Sequence, residues 1–297
     1  MLVGRRPIGS TGGVLVCVGD LVEDIVVWLD RPIAFGTDTP ARIERRRGGS
    51  AANVAAFAAA CGGPTRFIGA IGDDDAGQRV ADQLVDAGVG VRVQRRGRTG
   101  SIVVVVEPDG ERSFLTDRGA CDSLTAVPDV WLDVMTWLHL PTYSLASGAV
   151  AVECDRLVDV ARHRGASISV DCSSTAVLAS YGVERFVDLM RTIRPDVVFA
   201  NEDEARLIGI DVGGAVWSSR IVVKQGPSPV LIYEPGAPDP IEVDVPSVRV
   251  VRDSTGAGDA FAAGYIVATQ GGASGRDAAT AGIALAQRVL SEPGASL

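Results

Sequence analysis

A glycine-rich stretch near the end of the chain, DSTGAGDAF at residues 253–261, places the acid Asp259 directly after Gly256 and Gly258. An extended run precedes it and an apolar helical run, residues 260–268, follows it, which predicts a strand, a turn and a helix. Glycines allow a tight bend and close approach to a ligand. A helix that begins here points free N–H groups and its positive dipole end into the turn. The pattern therefore predicts an anion site.

Asp259 is an unusual residue for such a site, because a carboxylate repels a bound phosphate. An acid is useful there if it takes the proton from a hydroxyl group that attacks the phosphate. The alternative is an ordinary acidic residue in the first turn of a helix. The local pattern leaves both interpretations open.

Two further acids follow the first predicted strand. Residues 14–19 form a continuous apolar run that ends in glycine, which is typical of a buried parallel strand. Asp20 and Asp24 come next, at the strand end where open α/β sheets bind ligands. Gly48 and Gly49 then open an alanine-rich helix, which Ser50 is expected to cap. The alternatives are that Asp20 caps a turn, that Asp24 is solvated and that the glycine pair is a plain helix entry.

The elements that position these residues alternate between strands and helices along most of the chain. The predicted strands are 14–19, 24–29, 66–71, 137–140, 166–170, 196–200, 220–224 and 230–233. The predicted helices are 50–61, 78–87, 147–164, 184–194, 202–208, 258–269 and 276–290. This rhythm predicts a three-layer α/β/α sandwich with a mostly parallel central sheet.

Three pieces interrupt that rhythm. Residues 41–47 form an exposed strand, and 101–106 with 112–116 form a hairpin. We expect them to assemble into one small discontinuous sheet. The prediction is a flexible leader at 1–13 and one domain at 14–297, with lid segments at about 25–47 and 98–118.

Composition excludes several classes of protein. The net charge is −9 and no long basic block occurs, so nucleic acid is not an expected partner. Five scattered cysteines without a CxxC pair and two histidines argue against a zinc site and against histidine-based catalysis. No apolar run reaches membrane-spanning length, and the leader lacks the apolar core of a signal peptide. We therefore expect a cytoplasmic protein.

Lys224 is the only lysine and no Gly-Lys pair exists, which excludes a Walker-type phosphate loop.

Several motifs, taken together and in order, resemble the ribokinase-like, or PfkB, family of carbohydrate kinases. They are GGSAANVA at 48–55, IGAIGDDDAG at 68–77, Gly119-Ala120, NEDE at 201–204 and DSTGAGDAF at 253–261. The resemblance covers residues 14 to 290. It implies an ATP-dependent kinase that transfers the γ-phosphate to a hydroxymethyl group of a ribose- or fructose-like sugar.

The resemblance also implies roles at the acceptor side. Asp259 is the general base, and the backbone of Gly256, Ala257 and Gly258 forms the anion hole with it. Substrate-binding roles on the sugar go to five positions: Asp20, Asp24, Gly48, Gly49 and Asn53. The small sheet corresponds to a lid over the sugar, through which relatives often form homodimers. Ile43, Ile102, Val104 and Phe114 are candidates for that contact, or for packing on the substrate.

At the nucleotide side, the resemblance assigns Asn201 and Glu204 to Mg²⁺ through water. The alternative is a helix capping box, and both readings are compatible. Lys224, Gly226 and Thr255 are expected near the nucleotide, although Lys224 also fits a solvated strand end. Asp253 and Thr255 match a loop that binds a monovalent cation such as K⁺ in some members. Two segments depart from the family: Pro227, and Asp171-Cys172-Ser173-Ser174 in place of Asp-x-Asn-x-Arg.

Two other functions stay open. A nucleoside kinase of the same fold, of the adenosine, inosine or pseudouridine type, would place Trp28 or Phe35 against the base. A non-catalytic nucleotide- or sugar-binding regulator is the second alternative, against which the retained Asp259 argues. A dinucleotide-binding dehydrogenase fails on spacing, because the third glycine position after Gly256 and Gly258 holds Phe261.

Overall fold

The computed structural model describes residues 13–210, 217–247 and 255–291. The strands are β1 Val14–Val18, β2 Val22–Leu29, β3 Ala41–Gly48, β4 Thr65–Ile71, β5 Gly90–Arg95, β6 Ser101–Val106, β7 Arg112–Asp117, β8 Met135–Pro141, β9 Ser167–Asp171, β10 Val197–Asn201, β11 Arg220–Gln225, β12 Ser228–Tyr233 and β13 Ile241–Val243. The helices are α1 Ser50–Ala60, α2 Asp75–Asp86, α3 Tyr143–Ala146, α4 Gly148–His163, α5 Thr175–Tyr181, α6 Val183–Ile193, α7 Glu202–Leu207, α8 Ala257–Gln270 and α9 Gly275–Ser291.

The larger sheet has the strand order β13-β12-β11-β10-β9-β8-β1-β4-β5 within these ranges. Strands from β11 to β5 pair in parallel, whereas β12 and β13 are antiparallel additions at one edge. The parallel strands direct their carboxyl ends to one edge of the sheet. Asp20, Asp171, Asn201 and Lys224 lie at or just beyond those ends.

Two apolar clusters sandwich this sheet. In β1, Leu15 and Cys17 pack into the cluster that includes residues of α1, α2, α8 and α9. Val16 and Val18 point to the opposite cluster, which includes residues of α4 to α7. Because successive strand side chains alternate between faces, an all-apolar strand is the expected sequence for a doubly covered sheet. The predicted three-layer α/β/α architecture with a mostly parallel sheet is confirmed.

The second sheet, called the lid sheet below, has the strand order β3-β2-β6-β7. Its strands come from separated parts of the chain, as predicted. Cross-strand partners share a face, so the pairing defines two faces. The inner face carries Asp24, Val26, Trp28, Arg42, Glu44, Arg46, Ile102, Val104, Val106, Arg112, Phe114 and Thr116. The outer face carries the apolar residues Ile25, Val27, Ile43, Val103, Val105 and Leu115 together with the polar residues Glu23, Arg45, Arg47, Ser101, Ser113 and Asp117.

Several elements were absent from the sequence prediction. They are β5, β13, α3 and α5, and the antiparallel direction of β12 was not foreseen. The predicted leader lies outside the described residues except for Gly13. None of the helices within those residues is long and apolar enough to cross a membrane.

Candidate active site

Helix α8 begins at a glycine turn that holds the predicted base. Gly256 is its N-cap with φ 77°, a left-handed conformation that favours glycine, and Ala260 N donates to Gly256 O at 2.8 Å. The N–H groups of Ala257, Gly258 and Asp259 lie in the first turn, where helix geometry provides no partner within the helix. The turn therefore presents backbone donors and one carboxylate at the same point.

Two side chains of α1 hold the Asp259 carboxylate. Ser50 Oγ donates to Oδ1 at 2.7 Å, and Asn53 Nδ2 donates to Oδ2 at 2.9 Å. The prediction that Ser50 caps α1 is wrong. Gly49 is the N-cap and no side chain caps the helix, because the Ser50 hydroxyl is directed to Asp259 instead. The interaction fixes the carboxylate's orientation.

Gly48 and Gly49 bring β3 and α1 close to the first βα turn. A Cβ atom at Gly48 would lie 2.1 Å from Asp24 Oδ1, and one at Gly49 would lie 2.2 Å from the carbonyl oxygen of Asp20. Gly49 also has φ 103°. Side chains at either position would displace the acids, so the pair is more than a plain helix entry.

Asp24 is a partly buried carboxylate with one buried, unpartnered oxygen among the described residues. Its Oδ1 has no hydrogen-bond partner among the described residues. Burial raises the pKa of Asp24 to about 6, with Arg47 opposing the shift and Asp259 adding to it. Burial likewise raises the pKa of Asp259 to about 6, against the hydrogen bonds from Asn53 and Ser50. An acceptor oxygen of this kind is suited to a ligand hydroxyl, which argues against the solvated alternative.

Asp20 has a different environment from Asp24. Both of its oxygens accept from Arg118, at 3.0 Å from Nε and 2.7 Å from Nη2. Arg118 follows β7 directly and also pairs with Asp122. Asp20 thus anchors the end of the lid sheet through a bidentate ion pair. Neither the predicted substrate role nor the turn cap anticipated this partner.

A largely buried ion pair lies beside the start of α8. Lys224 Nζ lies 3.0 Å from Asp171 Oδ2, and a Cβ atom at Gly258 would be 3.3 Å from the same ammonium. Burial by itself lowers the pKa of Lys224, but Asp171 and Glu204 outweigh it and raise that pKa. Lys224 is therefore a largely buried, paired cation beside the first turn of α8, which argues against the solvated strand end.

Asn201 and Glu204 form the predicted capping box of α7. Glu204 N donates to Asn201 Oδ1 at 2.8 Å, and Asn201 N and Nδ2 donate to the two Glu204 oxygens at 2.8 and 2.9 Å. Burial, together with Asp171, raises the pKa of Glu204 to about 7. No cluster of three or more His, Cys, Asp or Glu side chains suited to a metal occurs in the described ranges. The like-charged pair Asp171 and Glu204 fits a cation that binds mainly through water and phosphate.

The remaining predicted nucleotide residues lie in two places. Thr255 accepts a hydrogen bond from Arg112 of β7, which brings the lid sheet's inner face to the α8 turn. Gly226 has φ 58° in the exposed turn between β11 and β12, with nothing within 4 Å of a Cβ atom there. The structure does not bring it to Asp259. Asp253, the predicted cation residue, lies outside the described residues.

Four residues of the site were missed as functional candidates: Ser50, Arg47, Arg112 and Asp171. Ser50 and Asp171 stood within quoted segments of the sequence. Ser50 precedes Asn53 by one helical turn and Asp171 ends a predicted strand, and both positions were available signals. Arg47 and Arg112 gave no signal, because their roles depend on how the lid sheet packs.

These features define an α/β site of the kind found in phosphotransferases, in which a helix N-terminus and the carboxylates of Asp259 and Asp24 converge beside a small sheet. The sequence matches the pfkB family carbohydrate kinase family over residues 14–297. The chain therefore belongs to the PfkB family of carbohydrate kinases, which are phosphotransferases that act on a sugar hydroxyl group.

Individual relatives agree with that assignment. The chain is 29% identical over 267 residues to an ATP-dependent ribose-1-phosphate kinase of Halopiger xanaduensis, covering 85% of this chain and 83% of the relative. A probable sugar kinase from Rhizobium etli has a similar structure, with a TM-score of 0.84, 24% identity and coverage of 96% and 94%. An adenosine kinase from Sinorhizobium meliloti gives a TM-score of 0.83 at 23% identity, covering 97% and 96%. The two structures establish the fold.

Proposed function

We propose that this protein uses ATP to phosphorylate the hydroxymethyl group of a small sugar, with Asp259 as the general base. The observation that carries the proposal is the position of Asp259 in the first turn of α8, held by Ser50 and Asn53. One helix start thus supplies both the proton acceptor and the backbone donors for the transferred group.

In the proposed reaction, the acceptor hydroxyl loses its proton to Asp259 while its oxygen forms a bond to the γ-phosphorus. The bond between that phosphorus and the bridging oxygen breaks, and ADP leaves. The N–H groups of Ala257, Gly258 and Asp259 stabilise the charge on the transferred group. Asp24 accepts a hydrogen bond from a second hydroxyl of the sugar through its unused Oδ1.

Lys224 is the proposed cationic partner of the phosphates, because its ammonium lies beside the start of α8. Asn201 and Glu204 are the residues that would hold Mg²⁺ through water, with the Asp171 carboxylate adding negative charge beside Glu204, and the metal would supply neutralisation of phosphate charge. Thr255 belongs to the same end of the site. A monovalent cation such as K⁺ at the 253–255 loop is part of the proposal.

The inner face of the lid sheet bears on the acceptor class. Two guanidinium groups cover the Trp28 ring, Arg42 at 4.1 Å and Arg46 at 5.2 Å from its centroid. Cation–π contacts of this kind compete with stacking by a nucleobase. Phe35, the other candidate for a base, is 98% exposed. These contacts favour a sugar or a sugar phosphate over a nucleoside, and a ribose 1-phosphate kinase is among the relatives.

The lid sheet also suits pairing with a second copy of the chain. Its outer face carries an apolar patch beside the polar residues Glu23, Arg45 and Ser113, and Ile43 and Leu115 of that patch are 60% and 64% exposed. Of the residues predicted for a dimer contact, Ile43 is on this face, whereas Ile102, Val104 and Phe114 are on the inner face. We therefore propose a homodimer through the outer face. With ATP as donor, the cytoplasm is the proposed location.

The test is a panel of acceptors with ATP and Mg²⁺: ribose, fructose, ribose 1-phosphate, adenosine, inosine and pseudouridine. Formation of ADP and phosphorylated product with one of the sugars or sugar phosphates supports the proposal. Preference for a nucleoside would support the nucleoside kinase. Binding of ATP and sugar without product from any acceptor would support the regulator.

A further inference from the structure

Arg47 connects the lid sheet to the base of the site. It is the last residue but one of β3, and its Nη1 donates to Asn53 Oδ1 at 2.9 Å. The same amide donates from Nδ2 to Asp259 Oδ2 at 2.9 Å. Three side chains from β3, α1 and α8 thus form a continuous hydrogen-bonded chain.

The chemistry of the three groups fixes the direction of this chain. Arginine has only donors and an ionised carboxylate has only acceptors. The Asn53 amide therefore has its oxygen toward Arg47 and its NH₂ group toward Asp259. Rotation of the amide by 180° would place oxygen against carboxylate and NH₂ against guanidinium, losing both bonds.

Arg47 also supplies charge. Asp24 lies on β2 and Asp259 on α8. Burial lowers the pKa of Arg47, whereas the negative charges of Asp24 and Asp259 raise it. The groups that surround Asp259 are Asp24 of β2, Arg47 of β3, Tyr143 of α3, Asp171 of β9, Lys224 of β11 and Cys17 of β1. Arg47 and Lys224 are the two cations in this set.

We propose that Arg47 is a positioning residue for Asp259, orienting the Asn53 amide and tying the base to the position of the lid sheet. The inference rests on the proposed function. Because Arg47 belongs to β3, displacement of the lid sheet from α1 breaks its contact with Asn53. The base is then held by the Ser50 hydroxyl with a freely rotating amide.

The experiment compares Arg47→Met, Arg47→Lys and the matched control Arg45→Met, on the acceptor that the wild type uses best. Arg45 lies on the same strand and is paired with Glu23, away from Asp259. We expect Arg47→Met to lower kcat about 10- to 100-fold, a part of what a positioned base contributes. In Arg47→Met, the pH below which activity falls should rise by about one unit, because the ionised carboxylates lose a neighbouring cation.

Arg47→Lys should return the pH dependence of activity to that of the wild type but restore only part of kcat, since the charge returns without the planar donor geometry. A carboxyl ¹³C titration of the ligand-free protein gives a readout independent of turnover, and the Asp24 and Asp259 resonances should titrate at higher pH in Arg47→Met. Equal kcat and equal titration in Arg47→Met and Arg45→Met would overturn the inference. Lack of turnover by the wild type would instead contradict the proposed function.

Discussion

Asp24 and Asp259 share one buried site although they belong to the lid sheet and to α8. Burial raises the pKa of Asp24 to about 6, and the charge of Asp259 adds to that rise. Two interacting carboxyls titrate as a pair. The ionisation of Asp24, the proposed acceptor-binding acid, is therefore coupled to that of Asp259, the proposed base.

The first prediction concerns the pH dependence of activity. Asp259 has to be ionised to accept a proton, and its pKa is raised to about 6. We expect kcat/KM for the sugar to be near its plateau at pH 8 and to fall through an acid limb near pH 6. Initial rates from pH 5 to 9 measure it, with coupling enzymes kept in excess. A limb near pH 4 would show that Asp259 is an ordinary exposed acid.

The second prediction separates binding from stability at Asp24. Asp24→Asn removes a hydroxyl-binding carboxylate, so the KM for sugar should rise at least about 10-fold while that for ATP stays the same. The pKa of Asp24 in the folded protein exceeds the ordinary aspartate pKa of 3.8, so the wild type loses stability as pH rises through 6. About two pH units correspond to about 3 kcal/mol. Because the buried amide of Asp24→Asn keeps part of the desolvation cost, we expect this substitution to raise the free energy of unfolding by only about 1 kcal/mol at pH 8.

That gain should be absent at pH 4, where the wild-type carboxyl is itself protonated. Urea denaturation at the two pH values measures it, and Asp86→Asn at the exposed end of α2 is the control. An equal effect of Asp24→Asn at both pH values would contradict the raised pKa of Asp24. An unchanged sugar KM would remove Asp24 from the acceptor site.

The third prediction concerns the buried ion pair of Lys224 and Asp171. Lys224→Met leaves Asp171 and Glu204 without their cation, which costs about 3–5 kcal/mol for a buried pair. The pKa of Glu204, already raised to about 7, should rise further. The loss of stability in Lys224→Met should be larger at pH 8 than at pH 5, because protonation of Glu204 at the lower pH relieves its repulsion with Asp171.

Denaturation of Lys224→Met and of Lys224→Met/Asp171→Asn at both pH values measures this. The double variant should recover part of the stability at pH 8. Lack of recovery, or a loss that is independent of pH, would show that Lys224 stabilises the fold by packing alone. The variant should also raise the KM for ATP, because the ammonium lies beside the α8 turn.

The fourth prediction addresses a departure from the family pattern. Ser173 has φ 70°, a left-handed conformation that Asn tolerates better than Ser. Ser173→Asn should therefore raise the free energy of unfolding by about 0.5–1 kcal/mol. Ser173→Ala is the control, because it keeps the backbone cost and loses the hydrogen bond from Thr142 N. A loss of stability in Ser173→Asn would mean that this hydrogen bond outweighs the backbone term.

The sequence predicted local features well. The glycine turn and helix that begin at Gly256, the capping box of Asn201 and Glu204, and the apolar strands all depend on nearby residues, whereas the extended run predicted before the turn lies outside the described residues except for Ser247. The separated strands of the lid sheet were also recognisable, because they interrupted the alternation of strands and helices. Residue types and spacing were sufficient in each case.

Contacts between distant elements were not predictable in the same way. The Asp171–Lys224 pair depends on β9, β10 and β11 being neighbours with their carboxyl ends aligned. Asp20 was expected to bind a ligand or cap a turn, but Arg118 occupies both of its oxygens. Ser50 was expected to be a cap, yet α8 packs close enough for its hydroxyl to reach Asp259. Each outcome depends on tertiary packing, which no local pattern contains.

The central claim is that Asp259 accepts the proton of the attacking hydroxyl. The most direct measurement is the single-turnover rate of γ-phosphate transfer in Asp259→Asn, with ATP affinity measured by calorimetry and Asp86→Asn as control. We expect the rate to fall at least about 10³-fold, as for loss of a general base, while the Kd for ATP stays within about 3-fold. Transfer by Asp259→Asn at close to the wild-type rate would contradict the account.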